Sequence, residues 1–299
     1  MQGENRLSDA ELDQEFDKNR RSFRNAVSDC QLVSRTIAGR QVDDRRWWAS
    51  VLLARFCTTA MSLLKLLPES PLERDHSSEL GSPLDRHWDF TAVAALGRTL
   101  FENHLTLFYL CFEEIDDDEW LSRLNLMQMH DHNSRKRTFG GPTSDEDRAQ
   151  EKNVTADLEQ KLLSRRFFQS LPASQRKMYL RGERACFHSH EEILTRMGQA
   201  NTQSYMAVWR WWSAHIHSLP MSYYRMAELN RGVGLENRSD KQNISLALGI
   251  ITESVDAVCA AIRKLFPDVP SRDDFVHTAI RQVLRSRKPS ASDEEKGGL

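Results

Sequence analysis

Glycine and proline are scarce in this sequence: 13 glycines and 9 prolines stand among 299 residues, well below the ~12% that the two residues usually contribute together. Few turn-forming residues leave few places where the chain can reverse tightly, which favours long helices. Alternating apolar and polar residues between turn signals, the pattern of strands, are missing too. The sequence therefore predicts an all-α protein.

An excess of charge of one sign is also missing. Lysine plus arginine number 41 against 43 aspartate plus glutamate, so the net charge is −2. This balance supplies no overall field that attracts nucleic acid or an acidic membrane. Uncharged stretches such as residues 242–252 fall short of the ~18 apolar residues of a spanning helix, and the polar N-terminus is unlike a secretory signal. We expect a soluble, cytoplasmic protein without membrane association.

Motifs that hold metals or nucleotides are absent. The five cysteines are scattered and form no C-x-x-C pair, which is typical of reduced, mostly buried thiols. Three histidine doublets have i,i+2 spacing, which on a helix points the two rings ~160° apart, so none of the three pairs can chelate one ion. Phosphate-loop, dinucleotide, H-E-x-x-H and G-x-S-x-G motifs are missing. We expect no metal site and no cofactor.

Apolar residues at helical spacing indicate a multi-helix bundle with long central hydrophobic helices, whose core segments are residues 43–66, 89–114, 116–138, 202–219 and 239–266. More polar helices are predicted over residues 8–38, starting at a capping box of Ser8 and Glu11, and over residues 143–169. Pro220 is predicted to stop the segment 202–219. The strongest break in the chain is Gly140–Gly141–Pro142. Because core segments lie on both sides of this break, residues 1–287 are predicted to form a single helical domain. The polar residues 288–299 are predicted to be a disordered tail.

Two charged side chains interrupt the most hydrophobic of these segments. Arg98 and Glu102 lie one helical turn apart among leucines and phenylalanines. Arginine followed by glutamate is the weaker i,i+4 order for helix stability, and a charge pair in a mainly apolar helix needs partners or water. Two interpretations remain open: a structural ion pair with a neighbouring helix, and a ligand or catalytic site.

Segment 202–219 carries a polar stripe beside a tryptophan-rich face. Arg210, Ser213 and His217 follow one another at i, i+3 and i+7. Ser213 and His217 could form a hydrogen-bonded pair at the rim of a pocket, while the nearness of Pro220 also suits a histidine that caps the last carbonyl groups. We assign Arg98, Glu102 and His217 as candidate catalytic residues, and Ser213, His104 and Arg210 as candidate binding residues.

The stretches ALGRTLFENHLTLFYL and YMAVWRWWSAHIHSLPMSYY together resemble a mostly bacterial family of helical proteins catalogued as a domain of unknown function. Members pair an A-R-x-x-x-E helix, here Arg98 with Glu102, with a later S-x-x-x-H element, here Ser213 with His217. This chain departs from the pattern in having Gly97 before the arginine and a tryptophan-rich stretch before the serine. The resemblance spans roughly residues 45–265 and implies no activity.

A second resemblance is to the prokaryotic helical domains known as HEPN, whose ribonuclease members carry an arginine and a histidine four to six residues apart. Arg98 and His104 have five residues between them and fit this spacing. The resemblance implies a metal-independent ribonuclease in which His104 is the general base and Arg98 holds the scissile phosphate. On a straight helix, six residues place these side chains ~120° apart.

Three functions therefore remain open, and the sequence does not decide whether the protein is an enzyme. The first is a binding or regulatory protein with a polar site between core helices that takes a small anionic ligand. The second is a HEPN-like ribonuclease of a defence or toxin system, acting on RNA. The third is an interaction scaffold for another protein or a second copy of the chain, for which exposed Trp47, Trp48 and Trp211 in one patch would be evidence.

Overall fold

The computed structural model describes residues 7–72, 87–141, 144–229, 231–272 and 274, and within these ranges every regular element is a helix. The one piece of extended pairing there is an isolated antiparallel bridge between Trp88 and Gly234. The all-α prediction is thus confirmed. The predicted disordered tail, residues 288–299, lies outside the described residues.

The described part of the chain forms eleven α-helices and one π-helical segment. In chain order they are α1 (Asp9–Ile37), α2 (Asp44–Leu66), α3 (Phe90–Leu107), the π-helical segment (Phe108–Phe112), α4 (Asp117–Phe139), α5 (Asp145–Leu163), α6 (Arg166–Ser170), α7 (Ala173–Leu180), α8 (His190–Arg196), α9 (Thr202–Ile216), α10 (Pro220–Leu229) and α11 (Arg238–Leu265).

Side-chain caps fix the starts of the long helices. Ser8 and Glu11 form a capping box at the start of α1, and Asp43 and Asp116 accept backbone hydrogen bonds at the starts of α2 and α4. These caps satisfy amide groups that a helix leaves without an internal partner. Because such caps are local in sequence, the predicted starts lie within a residue or so of the observed ones.

Two predicted elements differ from the structure. The single helix expected over residues 143–169 is divided into α5 and α6 at Arg165, whose backbone is extended. The Phe167 amide, in the first turn of α6, donates a 2.7 Å hydrogen bond to Asp118 of α4, which stabilises this second start. Pro220 was predicted only to stop a helix, but it also begins α10. Proline suits the first position of a helix, since its missing N–H has no partner there anyway.

The main core surrounds α3, which packs against α2, α9 and α11, while α1 packs along α11. A smaller cluster joins α4 to the helices that follow it, through Leu126, Met129, Leu158, Leu162, Phe168, Tyr179 and Phe187. The single-domain organisation remains a prediction.

Two helices, α2 and α11, are long and apolar enough to cross a membrane by length and composition alone. The sequence argument, which counted uncharged stretches, did not single them out. Core helices of soluble proteins meet the same criteria, and both helices bury one face here, with Leu53 and Phe56 of α2 and Leu248 and Val255 of α11 in the core. The absence of membrane association stays a prediction.

Gly97 permits the close approach of three helices. A Cβ atom at this position would lie 2.9 Å from Cδ1 of Ile251 in α11 and 3.3 Å from Cη2 of Trp212 in α9. Side chains larger than hydrogen would force these neighbours to shift. Gly97 therefore brings Arg98, the next residue, against α9.

Candidate functional site

Arg98 and His217 meet where the middle of α3 passes the end of α9. Nη1 of Arg98 lies 3.3 Å from Nε2 of His217, and Nε of Arg98 donates a 2.9 Å hydrogen bond to Oε1 of Glu102. A guanidinium has donors only, so Nε2 of His217 is the acceptor in this contact and the ring proton is assigned to Nδ1. The three candidate catalytic residues thus converge through Arg98.

Trp209 orients both members of the ion pair. Its indole Nε1 donates a 3.0 Å hydrogen bond to Oε1 of Glu102, and Cζ of Arg98 lies 4.9 Å from the centre of its ring, a cation–π distance. The ring of His190 packs edge-on against Trp209, with the ring centres 5.5 Å apart. We call Arg98, Glu102, Trp209 and His217 the Arg98 cluster.

The cluster keeps free hydrogen-bonding capacity that faces solvent. Within the described residues, Oε2 of Glu102 and Nη2 of Arg98 have no hydrogen-bond partner. The side chain of Arg98 is 20% exposed and that of Glu102 is 37% exposed. A ligand can therefore reach a fixed pair of donors and a fixed acceptor without breaking any existing contact.

A shallow cavity of about 250 Å³ adjoins Glu102 and adds a second cation to the site. Arg55 of α2 lines it together with the hydroxyl-bearing residues Thr99 and Thr106 of α3. Both threonine hydroxyls donate to carbonyl oxygens of α3 and can only accept from a ligand. Ligand groups in this cavity would therefore meet one arginine, one carboxylate and two hydroxyl acceptors.

Burial lowers the pKa of His190, whose ring packs against Trp209. The carboxylate of Glu102 offsets part of this shift, and the positive charge of Arg98 adds to it.

Two of the predicted binding residues lie outside the cluster. The hydroxyl of Ser213 donates to the carbonyl oxygen of Trp209 at 2.6 Å, inside α9, and forms no hydrogen bond with the side chain of His217. Arg210 is exposed on α9 and makes no ion pair with any described residue. The predicted Ser213–His217 pair is therefore not formed, because the serine bonds back to its own helix, as serine within helices often does.

His104 is also separate from the cluster. It lies in α3 with an exposed fraction of 8%, on a helix face ~120° from that of Arg98. Burial lowers the pKa of its imidazole to about 4. The structure does not bring the Arg98–His104 pair of the HEPN resemblance together, because both residues belong to one regular helix.

A strained backbone turn places His217. The amide of Ser218 donates to the carbonyl of His215 and that of Leu219 to the carbonyl of Ala214, at 3.2 and 3.0 Å, which is the Schellman arrangement. Ser218 has φ +48°, the left-handed region, and is the only non-glycine residue with positive φ among the described residues. This turn ends α9 at Ile216, three residues before the predicted end, and holds His217 at the cap.

A second polar cluster went unnoticed in the sequence. Arg123 of α4 is fully buried and donates to Glu113 at 2.6 Å, to Glu119 and to the carbonyl oxygen of Tyr109. Burial alone raises the pKa of the Glu113 carboxyl, but hydrogen bonds from Arg123 and Arg196 outweigh it, and the pKa is lowered overall. Each of these charges has a charged partner, so we assign this cluster a structural role.

No group of three or more histidine, cysteine, aspartate or glutamate side chains in the described ranges is arranged to hold a metal ion. The five cysteines are free, and all but Cys186 are buried, as the scattered spacing predicted.

Comparison with known proteins identifies the family. None of the curated proteins and none of the solved structures matches the chain significantly. A family model described as "Family of unknown function (DUF5677)" matches residues 47–233, a range that contains the whole Arg98 cluster. Because the match covers more than half of the chain, the chain belongs to DUF5677, a family of unknown function.

Proposed function

We propose that this chain is a ligand-binding protein whose site is the Arg98 cluster, and that its ligand carries a phosphate or carboxylate group next to a hydroxyl. The observation that carries the proposal is the contact between Arg98 and His217, which fixes the guanidinium between two helices while leaving Nη2 free. A preorganised guanidinium binds such anions through charge-assisted hydrogen bonds.

The position of Glu102 specifies the second half of the ligand. Its Oε1 atom is occupied by Arg98 and Trp209, whereas Oε2 has no partner in the described part of the chain. A free carboxylate oxygen accepts a hydrogen bond from a hydroxyl but repels an anion. Sugar phosphates and nucleotides carry both an anionic group and neighbouring hydroxyls, and they therefore fit this pair of residues.

A purely structural role explains the cluster less well. Helices α3 and α9 are already held together by the packing of Trp212 against Gly97, so the exposed contact adds little to their association. Partly exposed ion pairs typically contribute only about 0–1 kcal/mol. Strained residues such as Ser218 are, by contrast, concentrated at functional sites.

The proposal is tested by calorimetric titration with ribose 5-phosphate, adenosine 5′-monophosphate and inorganic phosphate. We expect saturable binding of the first two, a loss of about tenfold in Arg98→Lys, and a loss in Glu102→Gln for the sugar phosphates but not for inorganic phosphate. The matched control is Arg135→Lys, which alters an exposed i,i+4 pair with Asp131 on α4. No saturable binding, or equal affinity of the Arg98 and Arg135 variants, contradicts the proposal.

A metal-independent ribonuclease is the second candidate, favoured by the 3.3 Å approach of an imidazole to an arginine. In such an enzyme Nε2 of His217, rather than the buried His104, would exchange its contact with Arg98 for the RNA 2′-hydroxyl and take its proton, while Arg98 would hold the phosphate. The 2′-oxygen attacks phosphorus, the bond from phosphorus to the 5′-oxygen breaks, and the 5′-oxygen leaves as a hydroxyl after taking a proton from water. Incubation of RNA with the protein in a metal chelator should then give 2′,3′-cyclic phosphate ends. Absence of cleavage, or cleavage unchanged in His217→Asn, rejects this candidate.

The scaffold hypothesis gains less support from the tryptophans. Trp47 is 50% exposed, but Trp48 and Trp211 are half-buried, and the ring of Trp211 packs on that of Phe90 with centres 4.8 Å apart. Much of their apolar surface is therefore already covered within the chain.

A further inference from the structure

A separate cavity of about 270 Å³ lies between α3, α8, α9 and α11 and shares no residue with the Arg98 cluster. A second cavity of about 430 Å³ adjoins it, and both are lined by His104, Met197, Gln199 and Ala257. An apolar cavity of roughly 150 Å³ is already large enough to hold benzene. The first cavity therefore has room for one substituted aromatic ring.

His104 lies at the junction of the two cavities. Its exposed fraction is 8%, and no described residue forms a hydrogen bond with its ring. A neutral imidazole offers one donor and one acceptor, and neither ring nitrogen of His104 is among the fully buried polar atoms, so both reach the open space of the cavities. The ring is therefore positioned to hydrogen-bond a group that enters the cavity.

The walls around His104 suit an aromatic body. The rings of Phe101 and Tyr205 line the cavity and stack on each other, with centres 6.3 Å apart and an interplanar angle of 16°, so two aromatic side chains contribute to the wall. Met197 adds a thioether, which makes favourable contacts with aromatic rings. The small residues Ser254 and Ala257 of α11 leave the space open.

The charge at the cavity argues against an anion. Glu253 is exposed and, among the described residues, is the only charged one that lines the first cavity, whereas Arg45, Glu114 and Lys264 line the second. A carboxylate or phosphate would therefore meet a negative charge in the first cavity. Gln199, which is placed by the glycine turn that ends α8, supplies a neutral amide. The chemistry differs from that of the Arg98 cluster, and the two sites are independent.

We propose that this cavity binds a neutral aromatic alcohol, whose ring packs against Phe101, Tyr205 and Met197 and whose hydroxyl hydrogen-bonds to His104. The bound hydroxyl would pair with an imidazole that faces the cavity and that no described residue engages.

The test compares three probes of similar size: 4-ethylphenol, ethylbenzene, which lacks the hydroxyl, and phenylacetate, which is an anion. We expect calorimetry to show saturable one-to-one binding of 4-ethylphenol and much weaker binding of phenylacetate. In His104→Leu the affinity for 4-ethylphenol should fall about tenfold, as for the loss of one hydrogen bond, while that for ethylbenzene stays nearly constant.

Two alanines of α11 provide a matched pair of variants. Ala257 lines both cavities, whereas Ala261 lines only the second. Ala257→Leu should weaken 4-ethylphenol binding, and Ala261→Leu should leave it unchanged. Ala257 is exposed, so Ala257→Leu is expected to fold. Should His104→Leu fail to fold, the wild-type protein supplies a second measurement: the imidazole signals of His104 in its magnetic resonance spectrum should shift when 4-ethylphenol is added.

Three results would each overturn the proposal. The first is that 4-ethylphenol shows no saturable binding up to about 5 mM, a concentration that corresponds to very weak affinity. The second is that His104→Leu lowers the affinity for 4-ethylphenol and the affinity for ethylbenzene equally. The third is that Ala257→Leu and Ala261→Leu change the affinity for 4-ethylphenol equally.

Discussion

Nη1 of Arg98 and Nε2 of His217 lie 3.3 Å apart although 119 positions separate the two residues in the chain. One belongs to the middle of α3 and the other caps α9, so the packing of the two helices sets this distance. Gly97, which precedes Arg98, lets Trp212 of α9 approach the backbone of α3. The geometry of the cluster thus depends on a residue that carries no functional group.

The first prediction concerns the stability contributed by Glu102. Because the side chains of Arg98 and Glu102 are 20% and 37% exposed, Glu102→Ala should lower the free energy of unfolding by about 1 kcal/mol. Glu102→Gln, which keeps an acceptor for Trp209, should lower it less. Urea denaturation measures both values. A loss of about 3 kcal/mol, typical of a broken buried pair, would mean that the cluster is a structural tie.

The second prediction concerns the turns that end α8 and α9. Both have the Schellman arrangement, but the left-handed residue is Gly198 in one and Ser218 in the other. Ser218→Gly should raise the free energy of unfolding by about 0.5–1 kcal/mol, and Gly198→Ser should lower it by a similar amount. No atom lies within 4 Å of a Cβ built at Gly198, so the change in stability caused by Gly198→Ser reflects backbone conformation alone. Changes of the same sign in both variants would contradict this account.

The third prediction separates packing from helix propensity. Gly97→Ala should destabilise the protein by about 1–3 kcal/mol, since the new methyl group meets Ile251 and Trp212. Gly249→Ala in α11 is the control, because nothing lies within 4 Å of its Cβ position, and it should stabilise by up to about 1 kcal/mol. Thermal unfolding followed by circular dichroism distinguishes the two. Stabilisation by Gly97→Ala would show that the helices can separate at no cost.

The fourth prediction is a pH dependence caused by His104. Its pKa is about 4 in the folded protein and about 6.5 in an unfolded chain. Between these values the unfolded state binds the extra proton, so stability is complete above about pH 6.5 and falls by about 3 kcal/mol as the pH is lowered towards 4. The pKa values of His188, His190 and His215 are also lowered. The free energy of unfolding is measured against pH for the wild type and for His104→Gln, and the difference between the two curves gives the contribution of His104. A difference that does not change with pH would show that His104 is not buried as a neutral ring.

The fifth prediction concerns the buried arginine of α4. Arg123→Leu should cost about 3–5 kcal/mol, because it leaves Glu113 and Glu119 without their buried partner. Adding Glu113→Gln should restore part of the loss. Arg135→Leu, which removes an exposed arginine from the same helix, should change the free energy of unfolding by less than about 0.5 kcal/mol. Equal losses for the two arginines would contradict the role assigned to Arg123.

Much of the helical architecture could be predicted from local patterns. The capping box of Ser8 and Glu11 and the cap of Asp43 act within one turn, and the sequence therefore located both starts correctly. The end of α9 was misplaced because a serine occupies the left-handed position where glycine is the usual signal. The start of α6 is stabilised by a bond to Asp118, which lies 49 positions away from Phe167, and no local pattern reveals it.

The candidate site could be predicted in part, for a similar reason. Helical spacing places Arg98 and Glu102 on one face, but it does not say which helix that face meets. Trp209 was assigned to the apolar face of its helix, and its indole N–H proved to be the link to Glu102. Trp209 lies four residues before Ser213 and eight before His217, and this helical spacing could have placed it in the predicted site. His190 comes from a different helix, and spacing along one helix could not have connected it to the cluster.

The π-helical segment Phe108–Phe112 has a consequence for comparing members of the family. A π-helical turn accommodates one residue more than an α-helical turn, so it corresponds to a one-residue insertion in a helix. Without that residue, Glu113 would be displaced by ~100° around the helix axis and would lose its place beside Arg123. In a sequence alignment, a one-position gap at this segment should therefore coincide with loss of the arginine at position 123.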